Sequence, residues 1–191
     1  MSQIKENIKE KILQGALESF VERGFDGTSI ALIVKHSKVS NGAMYHHFSS
    51  KEELINEVFW SIHGELKNCV LAALKDDADI KEKLYTVWST FIKWSLANPK
   101  KSKFRNMFSN SPYMDKLWKK SIMDQFKFIF NIFDEANKSD IIINMDIDYL
   151  MCHIKSSAEG VTLYLKINPE KYSDDFLKDT FKIFWRSIIN I

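Results

Sequence analysis

Apolar positions recur every three or four residues along almost the whole chain, the spacing of helices with one buried face. Ile8, Ile12, Leu13, Ala16, Leu17, Phe20 and Val21 form the first stripe, opposite Lys9, Glu10, Lys11, Glu18 and Glu22. Gly24 is placed to end that helix in the left-handed conformation, with Phe25 packing back on Phe20. Ile30, Ile33 and Val34 begin a second, short helix, with Thr28 as its N-cap. After a polar break at Ser37 and Lys38, Ser40 caps a third helix with Ala43, Met44 and Phe48 inward. Ser50 and Glu53 read as a capping box that opens a long helix to about Lys75. Its inward set is Leu54, Ile55, Val58, Phe59, Ile62, Leu66, Cys69, Val70, Ala73 and Leu74.

The later elements follow the same logic. Asp79 caps a helix lined by Leu84, Val87, Trp88, Phe91, Ile92 and Leu96, and Asn98-Pro99 stops it. A short basic helix with Phe104, Met107 and Phe108 follows, and Ser111-Pro112 supplies the N-cap and N1 of one running to about Asn137. Ile141-Ile142-Ile143 lie in a loop, where a lone strand has no evident partner. Asp146 caps a helix ending at Asn168-Pro169, and Ser173 caps a last one to the C-terminus. The pattern predicts an all-α fold, and only six Gly and three Pro support long helices over a turn-rich β-structure.

Charge adds one local feature. The net charge of +2 is too small for a generic polybasic nucleic-acid binder. From Thr28 through Lys51, however, three lysines face no carboxylate, and Ser40, Asn41, Tyr45, His46, His47 and Lys51 all offer hydrogen-bond donors. Two short helices joined by a tight turn, with donors on the second, fit a helix-turn-helix entering a DNA major groove.

The run G-F-x-x-T-x-x-x-I-x-x-x-x-x-V-S-x-G-x-x-Y-x-H-F-x-S-K-E-x-L from Gly24 to Leu54 resembles the signature of the tetracycline-repressor family of bacterial regulators. The resemblance implies a three-helix DNA-binding domain over residues 1–50. A ligand-binding and dimerisation domain would span 51–191, with the long helix as lever. It implies that Tyr45, His47 and Lys51 hold phosphates, and that Ser40, Asn41, Gly42, Ala43 and His46 lie at base edges or nearby backbone. Asn41 is the candidate for direct readout, since Asn pairs bidentately with adenine. Ser29 is placed to offer a hydroxyl or N–H to a phosphate. Two departures from the family pattern stand out. Ser37-Lys38 stands where Ala-Gly is usual, so a left-handed Lys38 would cost about 1–2 kcal/mol relative to Gly. Ala43 stands where Thr is common.

The resemblance further implies a pocket for a small, largely hydrophobic effector among Trp88, Phe91, Trp94, Phe104, Met107, Phe108, Trp118, Phe126 and Phe130, although aromatics at helical spacing also suit plain core. Family members dimerise through their last helix pair, here pointing to Ser157, Val161, Phe181, Phe184, Trp185 and Ile188. The expected partners are a pseudo-palindromic double-stranded DNA operator, a small-molecule effector and a second copy of the chain.

Other chemistries find little support. Adjacent His46 and His47 point about 100° apart on a helix and cannot chelate one metal ion together. No cofactor motif, catalytic triad, paired carboxylates or phosphate loop stands out, so no enzymatic activity is expected. Cys69 and Cys152 match no metal spacing and read as two buried, reduced thiols. The N-terminus lacks the apolar core of a signal peptide, and no run approaches the ~20 apolar residues of a bilayer span. A cytoplasmic, nucleoid-associated regulator, most simply a repressor, is the expectation. An architectural DNA-binding protein acting through a protein partner is the alternative.

Overall fold

The computed structural model describes residues 2–117 and 125–190. Ten α-helices occur among them: α1 (Ser2–Arg23), α2 (Ile30–Ser37), α3 (Asn41–His47), α4 (Lys51–Ala73), α5 (Ile80–Ala97), α6 (Pro99–Ser109), α7 (Pro112–Leu117), α8 (Lys127–Lys138), α9 (Ile147–Ile167) and α10 (Asp174–Ile188). A 3-10 turn at Pro169–Lys171 follows α9. The fold is all-α, as the periodicity predicts.

Local chemistry sets most of the boundaries. Gly24 ends α1 at φ +76°, and Phe25 meets Phe20 edge-on at 5.4 Å. Asp79, Asp146 and Ser173 each accept the backbone N–H three residues on, from Glu82, Tyr149 and Phe176, and so satisfy a donor that the helix cannot. Pro99 occupies the first position of α6, where its missing N–H costs nothing.

Four local expectations are corrected. The cap of α2 is Ser29, whose Oγ accepts from the Leu32 N–H. Buried Thr28 instead donates its hydroxyl to the carbonyls of Ser19 and Gly24. At α4 the Glu53 N–H donates to Ser50 Oγ as a box requires, but the Glu53 carboxylate reaches one residue further back, to the N–H and hydroxyl of Ser49. The Ser111 hydroxyl turns back to the Phe108 carbonyl rather than capping α7. The isoleucine loop does find a partner: Ile142 pairs antiparallel with Ile189, the Ile143 N–H donating to Ile188 O and the Asn190 N–H to Ile141 O. Sequence periodicity could not reveal that pairing, because it joins segments nearly fifty positions apart.

Contacts divide the chain into two compact units. The first contains residues through Glu65 together with α6 and α7. Its core takes Ile12, Ala16 and Phe20 from α1, Ile33 from α2, Met44 from α3 and Leu54, Ile55, Val58 and Phe59 from α4. Phe48, just past α3, completes it. The head unit therefore extends past residue 50, because α6 contributes Phe104, which meets Phe20 and Phe25, and Phe108, which stacks on Phe59 at 4.0 Å. Ion pairs Lys100–Glu18 and Lys101–Glu65 line the same helix.

The second unit holds residues 66–97 and α8 onward. Leu84, Trp88 and Ile92 of α5 pack with Phe133 and Ala136 of α8, Leu150, Ile154 and Ala158 of α9, and Leu177 and Phe181 of α10. Both cysteines are exposed, which corrects the reading of two buried thiols. Cys69 and Cys152 sit just outside the faces carrying Val70 and Ile154.

Candidate DNA-binding surface

The surface is built on a close crossing of α1 and α2. Gly15 makes it possible, since a Cβ there would lie 2.3 Å from Ser37 Oγ and 2.7 Å from Ser37 N. Ser37 in turn donates to Ile33 O, which keeps its hydroxyl satisfied inside the head. One turn along α1, Ser19 donates to Gly15 O and lies 2.8 Å from His36 Nδ1. Gly15 and Ser19 were not singled out from sequence. Two small residues four apart beside the α1 stripe were the available signal.

The loop after α1 is fastened from the other side. Lys51, at the start of α4, directs its ammonium to the carbonyls of Phe25 (2.9 Å) and Thr28 (3.2 Å). This corrects the picture of Lys51 as a residue presented to phosphate: it is half-buried and locks the α1–α2 loop. Charged donors make strong bonds to carbonyls, so the lock is worth more than a neutral pair. The Ser49 hydroxyl and N–H hold the neighbouring Glu53 carboxyl below its usual range.

On this frame α3 stands outward. Ser40 is extended (φ −77°, ψ 155°), and its Oγ accepts from the Ala43 N–H at 3.1 Å, leaving the hydroxyl hydrogen free to donate outward. Met44 and Phe48 are buried and anchor the helix, while Ser40, Asn41, Gly42 and His46 are exposed and Tyr45 is 60% exposed. Ala43 and His47 are half-buried. The His46 and His47 rings meet edge-on at 5.3 Å, and no group of three metal-ligand side chains occurs among the described residues. Seven helical residues span roughly 10 Å, which suits a major groove about 12 Å wide. Ser29 is exposed at the N-terminus of α2.

The family model of bacterial regulatory proteins, tetR family, matches residues 12–58, the stretch that forms this surface. A solved structure from Shewanella sp. PV-4, assigned to the same family of transcription regulators, superposes with a TM-score of 0.90 at 26% identity, covering 96% of this chain and 99% of that one. The chain resembles the tetR family in the sequence of its head and in its fold. Two relatives from Staphylococcus aureus align with the head of the chain. The HTH-type transcriptional regulator QacR is 44% identical over 52 residues, 27% of this chain and 28% of its own length. The biofilm operon negative transcriptional regulator IcaR is 30% identical over 64 residues, 34% of each chain. These alignments thus span about a third of the relatives or less. The matched proteins are regulators, not enzymes.

The other candidate sites are distributed differently from expectation. The aromatic set is drawn from both units. Phe104 and Phe108 belong to the core of the first unit, where they meet Phe20, Phe25 and Phe59. Met107 is half-buried on the same helix. Trp88 and Trp94 are buried in the second unit, and Phe91, Phe126 and Phe130 are half-buried there. Trp118 lies outside the described residues.

The proposed dimer residues are also corrected. Phe181, Phe184, Trp185 and Ile188 are all buried within the single chain. The reason is long-range: Phe181 packs on Tyr85 and Trp88, and the end of α10 closes on the isoleucine loop. Ser157 accepts from Trp88 Nε1 at 3.2 Å and so faces the core, and Val161 is half-buried. What faces outward on α9 is a different stripe, Cys152, Ser156, Gly160, Leu163 and Ile167, with the last two 61% and 70% exposed. Ile183 on α10 is 71% exposed. No described helix is long and apolar enough to cross a membrane.

Proposed function

We propose that this chain acts as a TetR-family homodimeric repressor that inserts α3 into the DNA major groove. The observation that carries the reading is the outward face of α3, where Ser40, Asn41, Tyr45 and His46 present donors in a stretch without a carboxylate from Thr28 through Lys51. Tyr45 and His47 contact phosphates, with Ser29 adding a hydroxyl or the N-terminus of α2. Asn41 reads a base edge, and Gly42 and Ala43 allow close backbone approach. Repression is favoured because the aligned S. aureus protein IcaR is a negative regulator.

Dimerisation uses the exposed stripe of α9 and Ile183 of α10. Small Ser156 and Gly160 permit close approach, while Leu163, Ile167 and Ile183 are apolar side chains without cover in the single chain. Two-fold symmetry would set the two α3 helices one DNA turn apart, about 34–36 Å, on a pseudo-palindromic operator. A small, largely hydrophobic effector bound by the second unit, around Trp88, Phe91 and Trp94, releases the protein only if it binds the two head spacings unequally.

The test is enrichment of duplexes from a randomised pool by the full-length protein, followed by footprinting. Two protected half-sites one turn apart are expected, and sedimentation should give a dimer that Leu163→Glu converts to a monomer. Recovery of no preferred duplex, or a protein monomeric before substitution, refutes the reading.

A further inference from the structure

We propose that Lys38 is a further phosphate-gripping residue of the DNA-binding head, an inference that rests on the reading of α3 as the DNA-entering helix. Lys38 ends α2 at φ 54°, ψ 36°, in the left-handed region where a side chain is penalised and Gly or Asn is preferred. Nothing in the chain's own packing accounts for a lysine there. The side chain is exposed, and among the described residues no carboxylate pairs with its ammonium.

Four other lysines of the head are engaged: Lys9 holds Glu57, Lys100 holds Glu18, Lys101 holds Glu65, and Lys51 holds two carbonyls. Exposed Lys35, in the same carboxylate-free stretch, shares the free charge of Lys38 but not its left-handed backbone. Lys38 instead stands two residues before the Ser40 cap of α3, within the stretch that contains no acidic residue. Conformational strain kept at an exposed position points to a function for the side chain rather than for the fold. A positive charge at the leading edge of a groove-entering helix lies where the flanking phosphates pass. The carbonyl end of α2 also attracts a cation, so the experiment must separate a stabilising charge from a binding one.

The full-length protein and two variants are compared on a 30-base-pair duplex enriched by the wild type, with anisotropy read between 50 and 200 mM KCl. Lys38→Asn tolerates the left-handed turn and removes the charge, and Lys38→Arg keeps the charge. Lys38→Asn should bind more weakly with a salt slope shallower by about 0.9 per head, so that the fourfold salt rise costs it about 3.5-fold less affinity per head than the wild type. Lys38→Arg should retain the wild-type slope, and the melting temperature of Lys38→Asn should not fall. An unchanged slope in Lys38→Asn, a slope lost equally in Lys38→Arg, or a lowered melting temperature accompanying the weaker binding would overturn the proposal. Should the wild type enrich no duplex, the proposal falls together with the DNA-binding reading. An unchanged slope beside tight wild-type binding removes only the role of Lys38.

Discussion

Replacing Gly15 by alanine tests whether the head depends on the tight crossing of α1 and α2. The added Cβ would stand 2.3 Å from Ser37 Oγ, 2.7 Å from Ser37 N and 2.9 Å from Ser37 Cα. The hydroxyl could rotate away, at the expense of its bond to Ile33 O, but the backbone atoms cannot. Ordinary contact begins at 3.4 Å, so α2 must retreat by about 0.7 Å from the nitrogen. Overpacking of this kind costs about 1–3 kcal/mol. Against it, alanine in a helix interior gains about 1 kcal/mol over glycine.

Gly64 supplies the control, because it is also helical and a Cβ there meets nothing within 4 Å. The propensity gain is common to both variants, so their difference isolates the clash. Urea unfolding should place Gly15→Ala below Gly64→Ala by about 1–3 kcal/mol, roughly 0.5–1.5 M in midpoint for a slope near 2 kcal/mol/M. Because α2 is joined to α3 by a three-residue turn, its displacement should also weaken duplex binding in Gly15→Ala and leave Gly64→Ala unaffected. Equal stability of the two variants would refute the argument.

Three further outcomes are expected. Lys51→Met removes two charge-assisted bonds to the α1–α2 loop at a cost of about 1.5–3 kcal/mol each, and hydrogen exchange should show residues 25–29 opening faster while α9 is unchanged. Asn41→Ala should relax preference at one base position by about 1–3 kcal/mol with an unaltered salt slope, as read by binding to single-base variants of the enriched duplex. Glu53 has its carboxyl held below the ordinary value of 4.5 by Ser49, so its stabilising share is complete above that value and vanishes as pH falls through the lowered one. The stability gap between the wild type and Glu53→Gln should therefore be present at pH 7 and close in acid. A gap that widens on acidification would contradict the assigned hydrogen bonds.

Much of the head was legible because its determinants are local. A serine that caps α3, a glycine that ends α1 and an aspartate that opens α5 act over three or four residues, and such spacings are written directly into the chain. Where two neighbouring residues had equal local claims, as Thr28 and Ser29 did, tertiary contact chose between them: Thr28 was drawn to the carbonyls of Ser19 and Gly24, and Ser29 became the cap. Lys51 shows the same limit. Its motif position suggested phosphate, yet two carbonyls more than twenty residues earlier turn it inward.

By itself, then, the sequence determined most of the helices and caps, the carboxylate-free recognition stretch and the family resemblance. The single helix expected from Pro112 to about Asn137, by contrast, is described as α7 and α8, with Phe126 outside helical geometry ahead of α8. Only the tertiary structure decided which apolar faces are used up inside one chain. Phe181, Phe184 and Trp185 meet partners far along the chain and vanish into the core, as Phe104 and Phe108 do against Phe20 and Phe59, while Leu163 and Ile167 are left outside. Hydrophobic burial is non-directional. A stripe's period reveals that it will be covered, and only the positions of distant helices reveal by what.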